Sequence, residues 1–77
     1  MSITVQFFAS LREQMGTQQT TLDCETPLNV LAVWSQVSGG LSMPDNTLCA
    51  INMEYVKPDA LVQDSDEVAF FPPVTGG

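Results

Sequence analysis

The chain has 77 residues, 44% of them hydrophobic and only 14% charged, with nine acids, two bases and no histidine, for a formal net charge of −7. One domain is all this length can hold, and at this size folding buries only about 60% of the surface of the unfolded chain. The charge repels phosphate backbones and anionic lipid, which argues against nucleic acid and membrane surfaces and favours a basic protein as partner, while the scarcity of charge leaves a surface of Gln, Thr, Ser, Asn and apolar side chains.

Ile3, Val5 and Phe7 alternate with Thr4, Gln6 and Phe8, the period-two pattern of a strand with one face on a core. Residues 9–15 are good helix formers ending at Gly16, which suits the left-handed position after a short helical turn. Residues 17–24 are mostly polar and rich in threonine, as expected of an edge strand returning antiparallel to the first.

Thr26-Pro27 predicts a helix start, because the threonine oxygen can cap free N–H groups and proline at the first helical position loses no bond. The helix is expected to run to about Val37 and stop at Ser38-Gly39-Gly40. Leu28, Leu31 and Ala32 make one apolar stripe and Val30, Val33, Trp34 and Val37 another, more than a single face can bury. Trp34 is therefore read as closing the core edge, with a partner-facing Trp34 as the alternative.

Pro44-Asp45-Asn46 marks a loop, and residues 47–52 follow as a buried strand. Met53-Glu54 reverses the chain, Tyr55-Val56 can pair briefly, and Lys57-Pro58-Asp59 breaks that strand. Ala60-Leu61-Val62 leads into a turn over residues 63–66, and residues 67–71 form the last strand. With the first and last strands side by side at the sheet centre, this order predicts an α+β roll, the β-grasp arrangement of ubiquitin-like domains. It has a mixed sheet of about five strands and one main helix packed across it.

Cys24 and Cys49 lack the spacing of a C-x-x-C motif, and without histidine a zinc site is hard to build, so no metal is expected and both are read as small hydrophobes. Met1-Ser2-Ile3-Thr4 has neither the basic region nor the long apolar run of a secretion signal, and no apolar run approaches the roughly 18 residues of a membrane span. A cytoplasmic location is the expectation. Asp64, Asp66 and Glu67 read as a solvated charge group rather than a general acid pair.

The closing stretch, Phe70-Phe71-Pro72-Pro73-Val74-Thr75-Gly76-Gly77, ends an apolar strand with two prolines, which cannot donate to a ladder and start an extended, outward segment. Gly76 and Gly77 have no Cβ, so their backbone can enter a narrow channel. Residues 1–73 are expected to form the domain and residues 74–77 a flexible tail.

That stretch with the preceding Asp66-Glu67-Val68-Ala69, together with Phe7-Phe8-Ala9, Leu11-Arg12-Glu13, Gly16 and Ala50-Ile51-Asn52, resembles the small subunits of molybdopterin synthases, members of the ubiquitin-like sulfur carrier family. The resemblance spans the whole chain, with departures in the helix and its loop. It implies that the carboxylate of Gly77, beside Gly76, is adenylated with ATP on an E1-like enzyme, converted to a thiocarboxylate by a sulfur donor, and used to sulfurate cyclic pyranopterin monophosphate in a large catalytic subunit. It also implies a 2:2 heterotetramer, no bound cofactor, and contacts to partners through Phe8, Arg12, Phe71, Pro72, Pro73, Val74 and Thr75. Phe8, Trp34 and Met43 are candidates for an exposed apolar patch. Nothing in the sequence looks able to do the chemistry alone. A carrier of the same fold in thiamin synthesis or protein tagging, or a plain interaction module, are the competing readings; an iron–sulfur ferredoxin lacks its four cysteines.

Overall fold

The alternating start of the chain becomes the strand β1, Ser2–Phe7, with Ile3, Val5 and Phe7 buried and the residues between them half-buried or exposed. The computed structural model describes residues 2–25 and 27–72. The expected flexible tail, residues 74–77, lies outside the described residues, as do Pro73 and Thr26. After β1 come helix α1, Ser10–Met15, and strand β2, Gln19–Asp23, antiparallel to β1 with Val5 opposite Thr20. Helix α1 is longer than the single turn expected. Leu11 is buried beneath it, and Gly16 closes it in the left-handed region at φ 72°, donating its N–H to the Arg12 carbonyl.

Between β2 and the main helix the sequence reading needs correction. Leu28–Asn29 is a two-residue strand, β3, and the helix α2 spans Val30–Ser38, so Thr26-Pro27 does not start it. The physical reason is twofold. The backbone at Leu28 and Asn29 is recruited to pair with the strand β6, Leu61–Val62, and the Asn29 side chain caps the helix instead, accepting the N–H of Ala32 at 2.8 Å. Residues 61 and 62 are thus more than a lead into a turn. Gly39, at φ 71°, ends the helix as expected.

Strand β4, Leu48–Ile51, pairs with β5, Glu54–Val56, and the last strand β7, Glu67–Phe71, lies between β4 and β1. The main sheet runs β2-β1-β7-β4-β5, parallel only between β1 and β7, with the β3–β6 pair separate. This is the mixed five-stranded roll expected from the sequence, with the two most apolar strands at its middle.

On α2 the stripe of Val30, Val33 and Trp34 is buried, whereas Leu31 of the other stripe is half exposed. Trp34 is only 1% exposed, so the partner-facing reading of it is overturned. Its ring meets Phe7 and Phe70 edge-on at 6.1 and 5.0 Å, and its Nε1–H donates to the Leu41 carbonyl at 2.9 Å. A tryptophan can sit this deep because its one polar atom is satisfied. Full burial of a large apolar side chain stabilises by about 1.5 to 3 kcal/mol, and Ile3, Val5, Val62 and Val68 around this trio add their shares.

Candidate functional site

The core-facing parity of β7, Val68 and Phe70, leaves Glu67, Ala69 and Phe71 on the face away from the helix. On β1 the same face carries Thr4 and Gln6, and the next residue of that parity is Phe8, just past the strand. Phe8 is held there by its N–H to the Phe70 carbonyl, 3.1 Å, and by a sharp turn at Ala9, whose φ of 52° swings the chain into α1. Phe8 therefore stays 39% exposed and stacks on Phe71 with ring centroids 4.6 Å apart and planes 11° from parallel. Tyr55, 73% exposed on the edge strand β5, lies 6.1 Å from Phe71.

These aromatics wall a groove of about 380 Å³, lined also by Gln6, Ala50, Met53, Glu67 and Ala69. Strand register explains it. Gln19, Gln6, Ala69, Ala50 and Tyr55 form one row across all five strands, and its central position and the next, on β7 and β4, are alanines. Small side chains in the middle with aromatics beside them leave a depression floored by Ala50 and Ala69. Met53, 91% exposed, projects from the two-residue turn Asn52-Met53, where both residues have positive φ, 50° and 73°. Such a turn matches the twist of the strands it joins, and asparagine adopts it readily whereas methionine does so at a cost.

Of the residues expected to meet partners, Phe8 and Phe71 are brought together, and Pro72 follows Phe71 as β7 ends, half-buried. Arg12 is exposed on α1 and does not line the groove. Val74, Thr75, Gly76 and Gly77 lie outside the described residues, with Pro73. Trp34 and Met43 do not join the patch, since Trp34 is core and Met43 is half-buried against it. From the sequence Glu67 reads as a solvated charge, and neither it nor Met53, Tyr55, Ala50 or Ala69 is expected in a binding face. The parity of β7 and β1 carried the signal for Glu67 and Ala69; pairing of Ala50 with Tyr55 needed the register.

The acidic turn is not merely solvated. Asp64 accepts the backbone N–H of Ser2 at 2.8 Å; Asp66 accepts the N–H of Gln63 at 2.8 Å and the side-chain amide of Asn52 at 2.9 Å. Asn52 in turn accepts the N–H of Glu67 at 3.0 Å and donates its own N–H to the Glu67 carbonyl at 2.8 Å. These bonds tie the start of β1, the β4–β5 turn and the β6–β7 turn into one end of the sheet. Among the described residues no group of Cys, Asp and Glu side chains could hold a metal ion. Cys49 is buried, and burial pushes its thiol up from its ordinary value, the state of an inert thiol rather than a nucleophile. No helix among the described residues is long and apolar enough to cross a membrane. What remains is a binding face beside the point where the chain leaves the sheet.

The model of the ThiS family matches residues 5–77. The chain is 41% identical over 81 aligned residues to the molybdopterin synthase sulfur carrier subunit of Escherichia coli (strain K12), covering 97% of this chain and 99% of that one. Its fold matches the crystal structure of SAMP1 from Haloferax volcanii, with a TM-score of 0.81, 24% identity and full coverage of both chains. It also matches a chain of the complex of subunits 1 and 2 of the molybdopterin-converting factor from Helicobacter pylori, with a TM-score of 0.65, 21% identity and full coverage of both.

Proposed function

This chain belongs to the ThiS family, and we propose that it is the sulfur-carrying subunit of a molybdopterin synthase. The observation that carries the reading is the 41% identity, over nearly the whole of both chains, to a protein of that name. The family match runs through residue 77 and so includes Gly76 and Gly77. In this reading the Gly77 carboxylate, a poor electrophile at neutral pH, attacks the α-phosphorus of ATP on an E1-like enzyme and releases pyrophosphate. The acyl-adenylate so formed has AMP as leaving group. A sulfur donor displaces it to give a thiocarboxylate, whose soft sulfur is the nucleophile for the next step.

The loaded tail then enters the active site of a large subunit and passes sulfur to cyclic pyranopterin monophosphate. Each dithiolene contains two sulfurs, so two carriers are consumed per product, which suits a 2:2 heterotetramer. The carrier itself holds no cofactor, ATP being used by the activating enzyme, and the pathway is cytoplasmic. The groove of Phe8, Tyr55 and Phe71 supports this reading as a docking face. It sits beside the end of β7, so a partner seated on it lies next to the emerging chain. From the sequence, Pro72-Pro73 is expected to set the direction of the terminal segment and the four residues after it the distance to the reacting carboxylate.

The test is mass spectrometry after incubation with activating enzyme, ATP and a sulfur donor. One oxygen replaced by sulfur at Gly77 is expected, together with dithiolene formation once the large subunit and pterin are added. A chain lacking Gly77 that is still loaded and still supports dithiolene formation overturns the mechanism. Loading without dithiolene formation in the wild-type chain points instead to a carrier serving another pathway.

A further inference from the structure

We propose that the groove floored by Ala50 and Ala69 receives one arginine side chain of the docking partner, its stem over the alanines and its guanidinium on the carboxylate of Glu67. This rests on the reading of that face as the carrier's docking surface and adds the chemistry of what docks there. Glu67 is half-buried and lines the groove with Phe8, Tyr55 and Phe71. Its backbone N–H and carbonyl are both engaged by Asn52, yet no donor or cation among the described residues meets its carboxylate. The neighbouring acids differ, since Asp64 and Asp66 each accept backbone N–H groups.

Glu67 stands half-buried at the start of β7, the end of the groove away from Phe8 and Phe71; a carboxylate held there loses part of its hydration, and a counter-charge restores what is lost. This chain does not supply one. Its two bases are Arg12 and Lys57, and neither lines the groove. The cation therefore comes from another molecule, and a net charge of −7 steers basic partners toward the chain. Arginine fits the walls better than lysine, because a planar guanidinium can lie against an aromatic ring while its fork meets a carboxylate with two parallel bonds. Gln6, on the same face two register pairs along from Glu67, has an amide oxygen that can accept a further N–H.

Two measurements test the assignment, and they fail independently of the carrier reading. Calorimetric titration of the large subunit with the full chain should show Glu67→Gln weakening binding about tenfold, the scale of one charge-assisted hydrogen bond. Ala69→Leu, which fills the floor without changing charge, should weaken it similarly. Unchanged affinity of E67Q in a complex that the wild type forms overturns the proposal and leaves the carrier reading standing. Second, N-acetyl-arginine amide titrated into the isolated chain should shift the amide resonances of Gln6, Ala50, Tyr55 and Ala69, and N-acetyl-norleucine amide should not. Shifts that persist in E67Q, that norleucine amide reproduces, or that are absent overturn it. If the wild-type chain fails to bind the large subunit, the carrier reading falls and the arginine titration alone decides.

Discussion

Phe8 and Phe71 stack within 11° of parallel at 4.6 Å, locking the end of the first strand to the end of the last. Their rings are partly exposed and partly supported by each other, so each should cost less on truncation than the roughly 3 to 5 kcal/mol of a buried phenylalanine. A double-mutant cycle of Phe8→Ala and Phe71→Ala in urea is expected to give a coupling of about 0.5 to 1.5 kcal/mol. Both single variants should also weaken docking to the large subunit. Additive stabilities would mean that the rings do not hold each other in solution.

Asn52 joins two turns through its amide, and it also occupies a left-handed position at φ 50°. Asn52→Ala loses both side-chain bonds and the tolerance for that conformation, an expected cost of about 2 kcal/mol. Asn52→Gly loses the bonds and keeps the tolerance. Comparing the two by urea denaturation separates the terms, and glycine should be the milder change. Equal losses would assign the whole effect to the hydrogen bonds.

The sheet was legible because its signals are local and agree with one another. Ile3, Val5 and Phe7 alternate, Gly16 and Gly39 stop helices, and Val68 and Phe70 mark the inner face of β7. The start of α2 differs from the Thr26-Pro27 signal because Leu28 is taken into a pair with Val62, a contact far along the chain, which leaves Asn29 to cap the helix. The same holds for the site. Phe8 and Phe71 could be named from the sequence, but the groove exists because Ala69 pairs with Ala50 and Ala50 with Tyr55. Strand register is a property of the assembled sheet. Trp34 was ambiguous for a different reason, because the carbonyl that satisfies its indole belongs to Leu41, beyond the end of the helix.

Cys49 faces the core from β4 at 2% exposure, and burial raises its thiol pKa above the ordinary 9.0. The sign follows from proton counting. At neutral pH the thiol is protonated in both the folded and the unfolded chain, so it contributes nothing that depends on pH. Above the unfolded value the unfolded chain releases the proton while the folded chain keeps it, and stability falls until pH passes the raised folded value. Melting temperature measured from pH 7 to 10 should decline more steeply for the wild type than for Cys49→Ala. Parallel curves would show that this thiol is not the group responsible.

Met53 breaks two local rules at once. It holds a φ of 73° that favours glycine, and it leaves a large apolar side chain 91% exposed. Neither feature helps the isolated fold, since a left-handed non-glycine residue costs of order 1 kcal/mol and exposed apolar surface returns nothing. Where such violations coincide, function is the usual compensation, and Met53 stands at the rim of the docking groove. Methionine suits that place because its unbranched thioether adapts to an opposing surface. Met53→Gly should therefore raise stability by about 1 kcal/mol in urea denaturation. The same change should weaken binding to the large subunit by about tenfold, the worth of partly burying one such side chain. Met53→Asn tolerates the backbone and removes the apolar contact, so it should track the glycine variant in binding while gaining less stability. If M53G gains stability and binds as the wild type does, the side chain has no part in docking. If it loses stability, the turn is not strained at this residue.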